Sequence, residues 1–120
     1  MSRTTRNAAF TLVEIMIVVL IIGILMTIAV PNFIRARESS RRNACIANLK
    51  QIDSAKEQWA MDNKAEAGAA VQMSDIVGVY MRTVAAGPSC PSGGAYTVNP
   101  VGTDPVCSLA TAPELHVLAY

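Results

Sequence analysis

Phe10-Thr-Leu-Val-Glu14 runs without a break into Ile15-Met-Ile-Val-Val-Leu-Ile-Ile-Gly-Ile-Leu-Met-Thr-Ile-Ala-Val30, and this stretch decides the architecture. From Ile15 to Val30 there is no charged residue, and Thr27 is the only polar one. As a helix, Phe10 to Val30 would rise about 31 Å, close to the thickness of a bilayer's hydrocarbon core. The β-branched runs Ile15 to Val19 and Leu20 to Ile22 would favour strands in water. A lone segment in lipid must satisfy its backbone internally, so a helix is expected. The other reading is the core of a cleaved secretory peptide. That core is usually ~7–15 residues long and is followed by a small-residue cleavage site. Here the run is longer, and Val30-Pro31-Asn32-Phe33 comes after it.

Working outward, the chain has 120 residues, 52% of them hydrophobic and 16% charged. That length suits one small domain at most. The apolar excess lies mostly in one segment, which excludes disorder there and an ordinary soluble fold for the whole chain. The net charge of +1 gives no electrostatic case for a nucleic-acid partner. Arg3 and Arg6 precede the apolar run, and Arg35, Arg37, Arg41 and Arg42 lie beyond it. That cluster reads as a solvated helix face, with Glu38 between the charges.

Pro31 removes an amide donor and crowds the preceding turn, so it ends or kinks the helix. The pattern beyond it favours a kink. Ile46, Leu49, Ile52, Trp59 and Ala60, with Cys45 and Ala55 or Lys56, recur at helical intervals, while Lys50, Asp53, Glu57 and Asp62 between them are polar. One long helix is expected from about Thr11 to about Asn63, bent near Pro31, with Gly68 marking its end. Ala65 to Ala70 then reads as a linker, and Ser74 as the cap of a short helix through about Met81. Gly87 to Gly94 is rich in turn residues. Strands are expected at Ala95 to Val98 and Val106 to Leu109, with a third at Leu115 to Leu118. The fold class is therefore α+β. It divides into a leader (1–9), an apolar helix (10–30), its amphipathic continuation (31–64) and a small cap (65–120) holding a short helix and a β-hairpin.

A short basic leader, an aromatic start at Phe10, Glu14 four residues on, and Gly23 and Pro31 beyond resemble the start of type IV prepilins and type II secretion pseudopilins. The match covers roughly Arg3 to Phe33. The resemblance implies a prepilin peptidase that cuts between Ala9 and Phe10 and methylates the new amino terminus at Phe10. One residue departs from the family pattern, because such leaders usually end in Gly and this one ends in Ala9. The resemblance further implies a structural subunit of a type IV pilus-like or secretion pseudopilus filament. Its partners would be copies of itself, the peptidase, an inner-membrane assembly platform and membrane lipid. The precursor would cross the bacterial inner membrane once with its cap outside the cytoplasm, before entering a periplasmic or cell-surface filament. The flanking arginines alone would orient the span the other way, but the motif is far more specific than a two-charge difference.

Glu14 can also be read from its position. A carboxylate at the edge of an apolar helix is costly and is a functional candidate by default. One reading has it snorkel to the headgroups. The favoured one pairs it with the amino group created at Phe10, which neutralises both charges and sets the axial register of a new subunit. A competing function is a single-pass membrane-anchored binding protein that does not polymerise, which would need neither Phe10 nor Glu14.

Cys45, Cys90 and Cys107 are an odd set, allowing one internal pair at most. Joining Cys90 to Cys107 would close a loop of about 18 residues, worth roughly 3 kcal/mol, and a small cap outside the cytoplasm would gain from it. The alternative is two reduced, buried thiols. Cys45 lies on the helical stripe and reads as a small packed residue. A zinc set of Cys90, Cys107 and His116 lacks metal-ligand spacing. Major pseudopilins bind calcium in a C-terminal loop, but here only Asp104 and Glu114 are acidic after Asp75, too few carboxylates for such a site. No metal or cofactor is expected. His116 is the only histidine, and no phosphate loop or nucleophile–base motif appears, so no enzyme is expected.

Overall fold

The computed structural model describes residues 9–111 and 116–118. The leader before Ala9, and the acidic Glu114, lie outside that range. The chain forms two units, 1–36 and 37–120, and a single helix contributes to both.

Helix α1 spans Leu12–Asn63 and continues unbroken through Pro31, as the stripe beyond the proline suggests. Its end is set by Lys64, which takes the left-handed conformation at φ 52°. The Lys64 N–H donates to the Met61 carbonyl at 3.3 Å and the Ala65 N–H to the Ala60 carbonyl at 2.9 Å. Those two bonds close the last turn by satisfying carbonyls that would otherwise be orphaned.

In the first unit every side chain from Leu12 to Ile34 is exposed. Among the described residues, α1 is the one helix long and apolar enough to cross a membrane. Such a surface cannot face water cheaply, since each large aliphatic side chain gains about 1.5–3 kcal/mol on burial. Thr27, the one polar residue of the run, satisfies its hydroxyl by donating to the Ile24 carbonyl at 2.7 Å.

In the second unit α1 buries Cys45, Leu49, Ile52, Ala55, Lys56 and Ala60. Ile46 and Trp59 are only half-buried, at the margin of that stripe. Helix α2 spans Met73–Ile76, capped from Gln72 rather than Ser74. It is shorter than the expected run to Met81 because the chain turns at Gly78. Gly78 sits at φ +89° and donates its N–H to the Met81 carbonyl at 2.9 Å.

Strands β1 (Tyr96–Thr97) and β2 (Val106–Cys107) pair antiparallel, with Tyr96 opposite Cys107 and Thr97 opposite Val106. Both are shorter than the sequence suggests. Pro105 offers no amide to extend the ladder on one side. On the other side the Ser108 hydroxyl accepts the Ala95 N–H at 3.0 Å in place of a backbone carbonyl. The expected third strand is not formed over 116–118, and the His116 N–H donates to the Leu109 carbonyl at 3.1 Å instead.

Two apolar clusters hold the unit together. One joins Ile52, Ala55 and Ala60 to Val71, Ile76, Met81, Val98 and Val101. The other joins Cys45 and Leu49 to Cys90 and Cys107, with Tyr96, Leu109 and Leu118 against it. A small helix-borne sheet on a long N-terminal helix is an α+β arrangement of the expected kind.

Candidate functional site

Two places carry chemistry. The first is the start of α1. Glu14 Oε2 accepts the Thr11 N–H at 2.8 Å and the Thr11 hydroxyl at 3.1 Å, while the Glu14 N–H donates to Thr11 Oγ1 at 3.3 Å. This is a reciprocal capping box, in which residues three apart satisfy each other's exposed donors. Thr11-Leu-Val-Glu14 is legible as that box in the sequence, although reading Glu14 as a membrane carboxylate overlooks it. Glu14 is exposed, and so remains accessible to a partner outside the chain. Ala9 and Phe10 are exposed too. Gly23 has open space around its Cα.

The second lies in the other unit. Cys45 comes from α1, Cys90 from the turn before β1, Cys107 from β2 and His116 from the segment after it. Their ligand atoms all lie within 4.8 Å of one another, and all four residues are buried. Cys90 Sγ is 3.5 Å from His116 Nδ1. The expected Cys90–Cys107 bridge is not formed, and all three cysteines are free thiols. Cys45 packs in an apolar cluster, as its place on the helical stripe suggests, but the chain spacing does not show that Cys90, Cys107 and His116 gather around it. Chain spacing hides the cluster because α1 delivers Cys45 from far upstream, and β1–β2 pairing brings in Cys107.

The surroundings treat the thiols unequally. Burial pushes Cys45 up to about 12, against a Tyr96 hydroxyl that donates to it, and with Cys90 and Cys107 adding to the rise. Burial also raises Cys90, but the backbone N–H groups of Ser92 and Gly94, together with Cys45 and His116, outweigh it and bring it to about 7. Tyr96 is itself raised, first by burial and then by its bond to Cys45, and its oxygen accepts Asn48 Nδ2–H at 3.1 Å.

The exposed apolar helix begins just after Phe10 and carries Glu14 in its first turn, and a comparison with known families falls on the same segment. Residues 4–30 match the family model of the prokaryotic N-terminal methylation motif. The match falls on the segment whose sequence resembles a prepilin start. Over 54 residues it is 48% identical to the type IV major pilin protein PilA of Myxococcus xanthus, covering 45% of this chain and 24% of that protein. Over 58 residues it is 34% identical to the type II secretion system core protein G of Pectobacterium carotovorum, covering 48% and 37%. The protein of that name in Escherichia coli is 32% identical over 63 residues, covering 52% and 43%. The chain thus spans less than half the length of each of these relatives. No solved structure matches it.

Proposed function

We propose that the chain is a structural subunit of a type IV pilus-like or type II secretion pseudopilus filament. It is made as a membrane-inserted precursor, cleaved by a prepilin peptidase between Ala9 and Phe10, and methylated at Phe10. The observation that carries this reading is the wholly exposed apolar surface of residues 12–34, with one carboxylate, Glu14, at its start. The methylation-motif match over residues 4–30 supports the same reading. Lipid covers that surface first, and neighbouring subunits replace lipid at little cost because both are equally apolar. Glu14 then pairs with the Phe10 amino group of a neighbour and fixes the axial register. Pro31 bends the helix where it leaves the bilayer. The cap faces away from the cytoplasm, and the assembly platform in the inner membrane feeds subunits into the filament.

The capping box favours a second reading, in which Glu14 serves only its own helix and the chain is a non-polymerising anchor. Two variants separate the readings. Glu14→Gln keeps a capping acceptor but loses the charge. Thr11→Val loses the reciprocal cap, worth about 1 kcal/mol, but keeps the charge. Under the register reading, Glu14→Gln inserts in the membrane and is lost from filaments, whereas Thr11→Val still assembles. Filaments containing Glu14→Gln at normal levels would contradict it.

A further inference from the structure

The cluster of Cys45, Cys90, Cys107 and His116 has no part in filament assembly through the apolar helix, and it stands on its own geometry whether or not the chain polymerises. We propose that the second unit binds one zinc ion, held tetrahedrally by Cys45 Sγ, Cys90 Sγ, Cys107 Sγ and His116 Nδ1. Three cysteines and one histidine are an established donor set for closed structural zinc sites, with Zn–S about 2.3 Å and Zn–N about 2.0–2.1 Å. Those bond lengths place tetrahedral ligand atoms about 3.6–3.8 Å apart. The observed 3.5 Å between Cys90 Sγ and His116 Nδ1 already fits that spacing. No pair in the set exceeds 4.8 Å, so closing around an ion asks for an inward shift of roughly 0.6 Å at most for each sulfur and roughly 0.9 Å for the nitrogen.

The neighbouring groups are arranged as a metal–thiolate site needs. Three thiolates and a divalent cation leave a net negative charge, which buried sulfurs must share with hydrogen-bond donors. Cys90-Pro-Ser-Gly93 closes a tight turn through the Gly93 N–H, which donates to the Cys90 carbonyl at 2.9 Å, with Gly93 at φ +86°. The turn also brings the Ser92 and Gly94 N–H groups near enough to Cys90 Sγ to favour its thiolate. Beside Cys45, Asn48 Nδ2–H donates to the Tyr96 oxygen at 3.1 Å, leaving the Tyr96 hydroxyl hydrogen available to the Cys45 thiolate, which it favours. Gly94 leaves the room: a Cβ there would sit 2.7 Å from Cys107 Sγ.

A disulfide would use two of these thiols and leave a third thiol and an imidazole crowded in an apolar cluster. Zinc uses all four. It also explains why Cys45, far upstream in the sequence, is fully buried beside the other two. The ion would tie α1, the turn before β1, β2 and the C-terminal segment to one point, a staple suited to a unit whose described residues form two short strands.

The test uses the full chain, extracted from membranes into detergent without chelator. Elemental analysis should find one zinc per chain, with all three cysteines reduced by mass spectrometry. Replacing zinc by cobalt(II) should give the intense visible bands of a tetrahedral thiolate site, with charge-transfer intensity matching three Co–S bonds. Cys45→Ser should weaken zinc binding more than about 100-fold, beyond the loss caused by removing an outer-shell partner. Should that variant misfold, the cobalt spectrum of the unaltered chain still counts the sulfurs. A Cys90–Cys107 disulfide in the extracted protein, a chain without zinc that takes up none when zinc is supplied, or zinc binding unchanged by Cys45→Ser would overturn the proposal.

Discussion

Lys56 lies fully buried on the inner stripe of α1, with its ammonium 3.2 Å from Asp53 Oδ1 and donating to the Thr103 carbonyl. Its methylene stem packs as an apolar residue would, and its charge stays paired. The sequence places position 56 on the stripe but cannot say what a lysine would meet there, because Thr103 arrives from a loop more than forty residues on. Lys56→Met keeps most of the stem and leaves the Thr103 carbonyl without that donor. Thr103 is exposed and its carbonyl can turn to water, so the loss is that of one charge-assisted hydrogen bond, about 1.5–3 kcal/mol, and chemical unfolding monitored by the single tryptophan, Trp59, should show it. Unchanged or higher stability would show that the Lys56 contacts contribute nothing net. Glu14 differs in kind, since the Thr11-to-Glu14 spacing shows its cap, whereas its proposed role in register is decided by an assembly experiment.

At the scale of elements, α1 is the most legible in the sequence, because its apolar run and its three-and-four stripe both exceed what a loop or strand could sustain. Its end at Asn63 is legible as well, although the residue that enforces it is Lys64 in the left-handed region rather than Gly68. The third strand expected near 116–118 is not formed, while helix α2 and strands β1 and β2 lie where propensity puts them but are shorter than it suggests. Gly78, Pro105 and the Ser108 hydroxyl end them, and such local terminations compete with propensity without leaving a periodic trace. Tyr80, just past α2, ties that region to α1 by donating its hydroxyl to Asp62 Oδ2 at 2.9 Å. The bond to the Asp62 carboxylate, more than burial or charge, holds the phenol above its usual range. A pKa higher in the folded state means the tie is fully present below the unfolded phenol's value of about 10 and is lost as pH rises through the folded one. Alkaline spectrophotometric titration should show Tyr80 ionising later in the parent chain than in Asp62→Asn. Coincident titrations would mean the bond is not made in solution.

At the scale of the whole molecule, the 52% apolar content belongs to two units with different tasks. One exposes its apolar residues, which under the proposed function meet lipid and then neighbouring subunits. The other buries a modest core and gathers its cysteines. The first task is written in contiguous residues, so it can be read directly from Phe10 to Val30, and the family match falls on the same segment. The thiol cluster is written in four separated pieces of chain and becomes visible only when β1–β2 pairing and the α1 stripe are in place. The apolar helix as an assembly surface released from a leader is the central claim, and one measurement addresses it most directly. Intact-mass and N-terminal peptide analysis of the chain recovered from sheared filaments should find it beginning at Phe10 and carrying one extra methyl group. Absence of the chain from filaments, or its presence there with Met1 to Ala9 still attached, would contradict the account.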